Sequence, residues 1–133
     1  MGSPTIPAQF RSLFTSKAFA HMATVMRDGT LQVTPVWVDL DGERVLINSA
    51  LGRVKDRNLR TNPAVTVEVQ DPGNPYRYIS VRGRVVKFRQ EGATEHIHKL
   101  AQRYMGVEKY PYLKPGMQRV IYEIEPLSVH TAG

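Results

Sequence analysis

The chain has 133 residues, 41% of them hydrophobic and 23% charged, the size and composition of one ordinary globular domain. It contains no cysteine, which excludes disulfides, thiolate metal sites and a cysteine nucleophile. No apolar run approaches the ~18 residues of a membrane span, the first residues lack a basic-then-apolar leader pattern, and the net charge of +6 fits either plain solubility or an anionic partner. A cytoplasmic protein without a membrane span is the expectation.

Pro7 to Lys17 reads as a short helix: proline suits a first helical turn, and Phe10, Leu13 and Phe14 fall at i, i+3 and i+4. Ala20 to Met26 reads as a strand, followed by an Asp28-Gly29 turn. Leu31 to Leu40 follows as one long strand, in which Pro35 marks an edge, a bulge or a strand start. Asp41-Gly42 is a second hairpin turn leading into Arg44 to Ser49, so the three strands predict an antiparallel meander. The period then changes. Gly52 to Thr61 fits a short helix, stopped at Asn62 because the residue before Pro63 avoids helical angles.

Ala64 to Gln70 is a valine-rich strand and Asp71 to Pro75 a loop by composition. Tyr76 to Phe88 is a long strand, with Ile79, Val81, Gly83 and Val85 on one face and Tyr78, Ser80, Arg82 and Arg84 on the other. Glu91 to Tyr104 is a helix, Val107 to Gly116 a loop rich in proline and tyrosine, and Arg119 to Glu125 and Ser128 to Thr131 two closing strands. Antiparallel strands that each bury one face, with short helices between them, predict a mainly β fold, a β-barrel with flanking helices. No repeat or linker interrupts the pattern, so residues 1–133 are expected to form a single domain.

Familiar catalytic machines are missing: there is no glycine-rich phosphate loop, no dinucleotide fingerprint and no serine elbow. His96 and His98 stand two apart on a predicted helix and point to different sides, a poor metal pair, so no metal site is expected. No carboxylate pair stands out. The chemistry is therefore expected to reside in an organic cofactor, with no catalytic side chain assigned.

The most informative segment runs from Asn48 to Arg60. A strand ends in small polar residues, Gly52 opens a helix, and Arg53, Lys55, Arg57 and Arg60 crowd its turns. Backbone N–H groups at a helix start favour an anion, and an arginine fork beside a lysine point charge adds to a phosphate site. A solvated basic face is the competing reading, because Arg53, Arg57 and Arg60 fall at i, i+4 and i+7; Lys55 lies off that stripe and discriminates. The second segment is Gln32 to Val38. Thr34 and Pro35 interrupt a regular strand, and a bulge there would offer backbone groups to a planar heterocycle beside Val36 and Trp37. A core or dimer-interface position for Trp37 competes with that. The aromatic residues are not interleaved with the basic cluster, so nucleic-acid binding is not expected.

The order HMATVMRDGTLQVTPVWVDLDG, RVKDRNLRTNPAVTVEV, YRYISVRGRVV and LAQRYMG resembles the pyridoxamine 5′-phosphate oxidase-like superfamily from about Phe14 to Val129. The Lys-x-x-Asn-Leu-x-x-x-Pro pattern at Lys55, Asn58, Leu59 and Pro63 is characteristic of that superfamily, and Thr34-Pro35-Val36-Trp37 is similar to its branch using the deazaflavin coenzyme F420. The resemblance implies a split β-barrel and an intertwined homodimer with two cofactor sites at its interface. It implies that Thr34 to Trp37 lie along the ring system, that Asn48, Ser49 and Asn58 hold the tail and ribityl portion, and that Arg53 and Lys55 hold the phosphate. Tyr78 and Arg82 would reach the rim of the partner chain's site. Arg57 and Arg60 suit the longer anionic tail of the deazaflavin, a phosphodiester with carboxylates where FMN has one phosphate.

The implied activity is hydride transfer between reduced F420 and a small unsaturated substrate. An FMN-dependent oxidase or reductase, or a non-catalytic cofactor- or haem-binding module on the same barrel, are the alternatives. The sequence ends at Gly133, without the C-terminal substrate-binding segment of the larger vitamin-synthesising oxidases, so pyridoxamine phosphate oxidation is not the expected reaction.

Overall fold

Seven strands pair antiparallel in one sheet in the computed structural model, which describes residues 4–133. Met1 to Ser3, the start of the segment read for a leader pattern, lie outside the described residues. A 3-10 helix (Ala8–Phe14) precedes β1 (Ala20–Val25), β2 (Leu31–Val36), β3 (Asp39–Asp41) and β4 (Arg44–Ala50). Then come α1 (Val54–Thr61), β5 (Ala64–Asp71), β6 (Asn74–Arg89), α2 (Ala93–Met105) and β7 (Arg119–Ala132). The sheet order is β2-β1-β5-β6-β7-β4-β3.

β2 and β3 are the two edges of this sheet, yet only Trp37 and Val38 separate them in the chain. Three peptide steps span at most about 11 Å. The two edges therefore lie near one another, and the sheet has curled round into a barrel, as the strand alternation predicted. The expected meander does not form, because Leu31 to Leu40 is two strands. The reason lies at the corner: the Val38 N–H donates to the Tyr104 hydroxyl (3.2 Å), and its carbonyl accepts from Arg103 (3.0 Å). With α2 satisfying both backbone groups, Val38 has none left for a ladder. Pro35, which lacks an N–H, sits on the edge strand where it costs no ladder bond.

The barrel interior is the face that alternation predicted. Ile79, Val81 and Val85 of β6 meet Val65, Val67 and Val69 of β5 and Ile47, Tyr122 and Ile124 of β4 and β7, all buried. Gly83 shares that face opposite Pro126, where a Cβ would collide with the Glu125 carbonyl, so glycine permits the close approach of β6 to β7. The register shifts there, and the bulge carries β7 through Pro126 as one strand where two were predicted. Phe10, Leu13 and Phe14 are buried as expected, but on a 3-10 helix, whose three-residue turn stacks Phe10 with Leu13. α1 stops where Asn62 turns extended before Pro63 (φ −141°, ψ 106°). On the outer face of the barrel, Leu46 and Ile121 pack against Ala93 of α2. No helix among the described residues is long and apolar enough to cross a membrane.

Candidate functional site

The two segments singled out in the sequence converge on one cleft of about 220 Å³. Pro35, Val36 and Trp37 come from the β2–β3 corner, Asn48 from β4, and Arg53 and Lys55 from the start of α1. Phe19, Ile97, Tyr110, Tyr112 and Arg119, which the sequence did not single out, complete the lining. The cleft lies outside the barrel. β4 and β7 pair Ile47 with Tyr122 and Ser49 with Val120 toward the interior, so the intervening Asn48, Ile121 and Arg119 face outward beneath α2.

One end of the cleft is aromatic. The Trp37 ring stacks on Tyr104 with centroids 5.1 Å apart and planes 5° apart, and meets Tyr110 edge-on at 5.9 Å. The Tyr104 hydroxyl donates to the Ala18 carbonyl (2.7 Å), and burial raises its pKa, so it stays a neutral phenol that pins the indole. Tyr110 is drawn in from its loop by a bond from its N–H to His98 Nδ1 (3.0 Å).

The other end is cationic. Arg53 precedes the first turn of α1, Lys55 lies within it, and Arg119 begins β7. Burial lowers the Lys55 pKa, and Arg53 and Arg119 lower it further. None of the ion pairs among the described residues engages Arg53, Lys55 or Arg119. Three converging cations without a carboxylate fit an anion and little else.

A polar chain runs behind the cleft. Arg119 Nε donates to Asn48 Oδ1 (2.9 Å), and Asn48 Nδ2 donates to the Ala93 carbonyl (2.8 Å) and to His96 Nδ1 (3.1 Å). His96 Nε2 donates to Asp39 Oδ2 (2.9 Å), and Arg103 donates to Asp39 Oδ1 (2.9 Å). An imidazole carrying its hydrogen on Nε2 satisfies every member at once. Burial alone would raise the Asp39 carboxyl; the bonds from His96 and Arg103 overcome it and hold the pKa down at about 2.

The folded pKa of Asp39 lies below its unfolded value near ~3.9. Its contribution to stability, about 2 kcal/mol, is thus present above the unfolded pKa and is lost as pH falls through about 2. Urea unfolding from pH 5 to pH 2 should show Asp39→Asn losing less stability than the wild type by roughly that amount. Parallel curves would remove Asp39 from the acid response.

Other predicted residues lie elsewhere. Ser49 alternates with Asn48 and faces the barrel interior, where its hydroxyl is buried without a partner. The Thr34 hydroxyl is likewise buried and unpartnered on β2. Asn58 does not line the cleft; it donates to Thr24 Oγ1 (3.0 Å) and Met26 Sδ (3.2 Å), tying α1 to β1. Arg60 pairs with Asp56 (3.3 Å) and covers the Phe88 ring at 4.4 Å. Tyr78, beside the His130 ring, and Arg82, bonded to Ser128, lie on β6 away from the cleft of their own chain.

Sequence reasoning missed Arg119 and Asp56. Arg119 was findable: with Val120, Tyr122 and Ile124 inward, it falls on the face of Asn48. Asp56 is 4% exposed; it accepts from the Tyr122 hydroxyl (2.8 Å) and the Gly52 N–H (3.1 Å), fixing the loop that presents Arg53. Nothing local in the sequence signals that long-range bond.

A family model described as Pyridoxamine 5′-phosphate oxidase matches residues 6–132. A solved structure named F420 Reductase is 35% identical, with a TM-score of 0.81, over 94% of this chain and 98% of that one. The conserved hypothetical protein Rv2991 from Mycobacterium tuberculosis is 20% identical, with a TM-score of 0.73, over 98% of this chain and 86% of that one. HutZ, the heme storage protein from Vibrio cholerae, is 14% identical, with a TM-score of 0.65, over 98% and 96%. The last two likenesses are of fold alone. No curated protein matches the sequence.

Proposed function

Because this chain belongs to the pyridoxamine 5′-phosphate oxidase family and has its split β-barrel, we propose that it is an oxidoreductase binding the deazaflavin coenzyme F420 in this cleft. The observation that carries the reading is the division of the cleft into an aromatic end at Trp37 and a cationic, carboxylate-free end at Arg53 and Lys55. A cofactor with a flat ring system and a phosphate-bearing tail matches both ends. β2 is an edge strand, so backbone groups beside Pro35 and Val36 have no ladder partner on the free side and can meet the polar rim of a heterocycle.

The cofactor, when bound, supplies a hydride for a small unsaturated substrate. The chain's own residues bind and orient. Lys55 and Arg53 anchor the phosphate, Trp37 limits the ring's tilt against its stack with Tyr104, and Tyr110 and Tyr112 exclude water. Arg57 is exposed and suits an anionic tail leaving the cleft, whereas Arg60 is occupied by Asp56.

A cleft of 220 Å³ is smaller than the ~300–1,000 Å³ of small-molecule pockets. A second copy of the chain therefore completes the site in this proposal. Leu31 and Val33, 66% and 59% exposed on the β2 edge beside Pro35, are the apolar surface it would cover. Tyr78 and Arg82, which do not line their own cleft, would reach the other one.

The test is a pair of titrations, with F420 and with FMN, across ionic strength, on protein whose mass is read by sedimentation. F420 should bind more tightly at low salt, with an advantage that shrinks as salt screens the exposed tail contacts over ~10 Å at 0.1 M. The loaded species should be a dimer. Tighter FMN binding at low salt, with FMN retained through purification, would replace this reading by an FMN-dependent one. A cofactor-loaded monomer would overturn the shared site.

A further inference from the structure

Arg119 is a buried cation that the fold leaves without a counter-charge. Only 4% of its surface is exposed, and no ion pair among the described residues includes it. Its partners are the Asn48 amide oxygen, the Met117 sulfur (3.7 Å) and the Tyr110 ring, 5.2 Å from the guanidinium carbon. An amide oxygen and a thioether are modest partners for a desolvated full charge. Burial lowers the Arg119 pKa, and Arg53 lowers it further against the opposing effect of Tyr110, although a guanidinium stays charged. Three like charges in a part-buried cleft disfavour the free protein and favour whatever anion relieves them.

The orientation of Arg119 is set from behind. Flipping the Asn48 amide would oppose its oxygen to the Ala93 carbonyl and its N–H to the Arg119 Nε–H. His96 Nδ1 accepts from Asn48 and so holds it against that flip, while Asp39 and Arg103 hold His96. With Nε on Asn48 and one Nη1–H on the Met117 sulfur, the remaining terminal N–H groups are left for the cleft.

We propose that Arg119 is a third cationic ligand of the anion subsite beside Arg53 and Lys55, with Asn48 and His96 as its positioning residues. The subsite then takes a ligand portion carrying at least two negative charges: a phosphate monoester, or a phosphodiester followed by a carboxylate. This deepens the reading of the cleft as the site of a phosphate-bearing cofactor, and rests on it.

Calorimetric titration with inorganic pyrophosphate, FMN and riboflavin tests the proposal, because riboflavin keeps the ring and lacks the charge. Arg119→Gln should weaken pyrophosphate and FMN by roughly tenfold or more, and riboflavin by less than about twofold. Arg119→Lys should recover part of the loss. His96→Ala should weaken FMN in the wild-type background and add nothing to Arg119→Gln, the signature of acting through it. Equal losses for FMN and riboflavin, or unchanged pyrophosphate affinity in Arg119→Gln, would overturn the assignment. A wild type that binds pyrophosphate through Arg119 but neither FMN nor F420 would overturn the proposed cofactor and sustain Arg119. A wild type that binds no anion would overturn both.

Discussion

Replacing Lys55 by alanine should weaken F420 binding ten- to a hundredfold, whereas Arg57→Ala should cost less than about threefold. A hydrogen bond to a charged group contributes about 1.5–3 kcal/mol, and a part-buried one is little screened by salt. Lys55 lines the cleft, off the helical stripe of the other basic residues. Arg57 is exposed and bonds back to the Gly52 carbonyl (2.8 Å). Titration of both variants with the cofactor separates them, and equal losses would refute the anchor. The pH dependence has a definite sign. Burial and the two arginines lower the Lys55 pKa, so its ammonium is lost at lower pH than that of a free lysine. Affinity should therefore decline toward alkaline pH in the wild type, with this limb flattened in Lys55→Ala.

The largest loss of stability is expected at Asp56. Its buried carboxylate joins the Tyr122 hydroxyl, the Gly52 N–H and Arg60, and burial, with the Asp56 carboxylate beside it, raises the Tyr122 phenol far above its ordinary range. Asp56→Ala strands the buried Tyr122 hydroxyl and the part-buried Gly52 N–H, at about 1–3 kcal/mol for a buried donor and less for the other, so a loss of about 3 kcal/mol is expected in urea unfolding. That is a large share of the ~5–15 kcal/mol typical of a domain. Tyr122→Phe removes one donor together with its need for a partner and should cost about 1 kcal/mol. Should Asp56→Ala lose less than Tyr122→Phe, the carboxylate would not be the hub of this contact. Where Asp56→Ala still folds, it should also bind cofactor more weakly, because Arg53 and Lys55 stand on the segment it fixes.

The barrel was legible because period-two alternation directly reports which face of a strand is buried. Ile79, Val81 and Val85 on β6, and Val120, Tyr122 and Ile124 on β7, fell where alternation put them. What alternation could not report is where a strand changes sheet edge. Val36, Val38 and Leu40 keep their spacing through the corner, and the break comes from Arg103 and Tyr104, which lie far along the chain. In the same way the helix-start cluster pointed to Arg53 and Lys55, since charge at a helix terminus is a local signal. Arg119 enters the cleft through sheet register, and Asn58 leaves it because Thr24 receives its amide. Neither partner is written near the residue it positions.

The two-residue corner between β2 and β3 also bears on the order of assembly. The hairpins β1–β2, β3–β4 and β5–β6 are local and can form early, whereas pairing Val45 with Ile124 or Ala20 with Val69 must close long loops first. The corner tethers the first two hairpins to one another, so once either of them has joined the β5–β6–β7 part of the sheet the other is held near its own place. Curling the sheet and forming the Trp37 wall of the cleft thus both wait on long-range pairing, and a chain with so many distant pairings belongs with the millisecond-to-second folders.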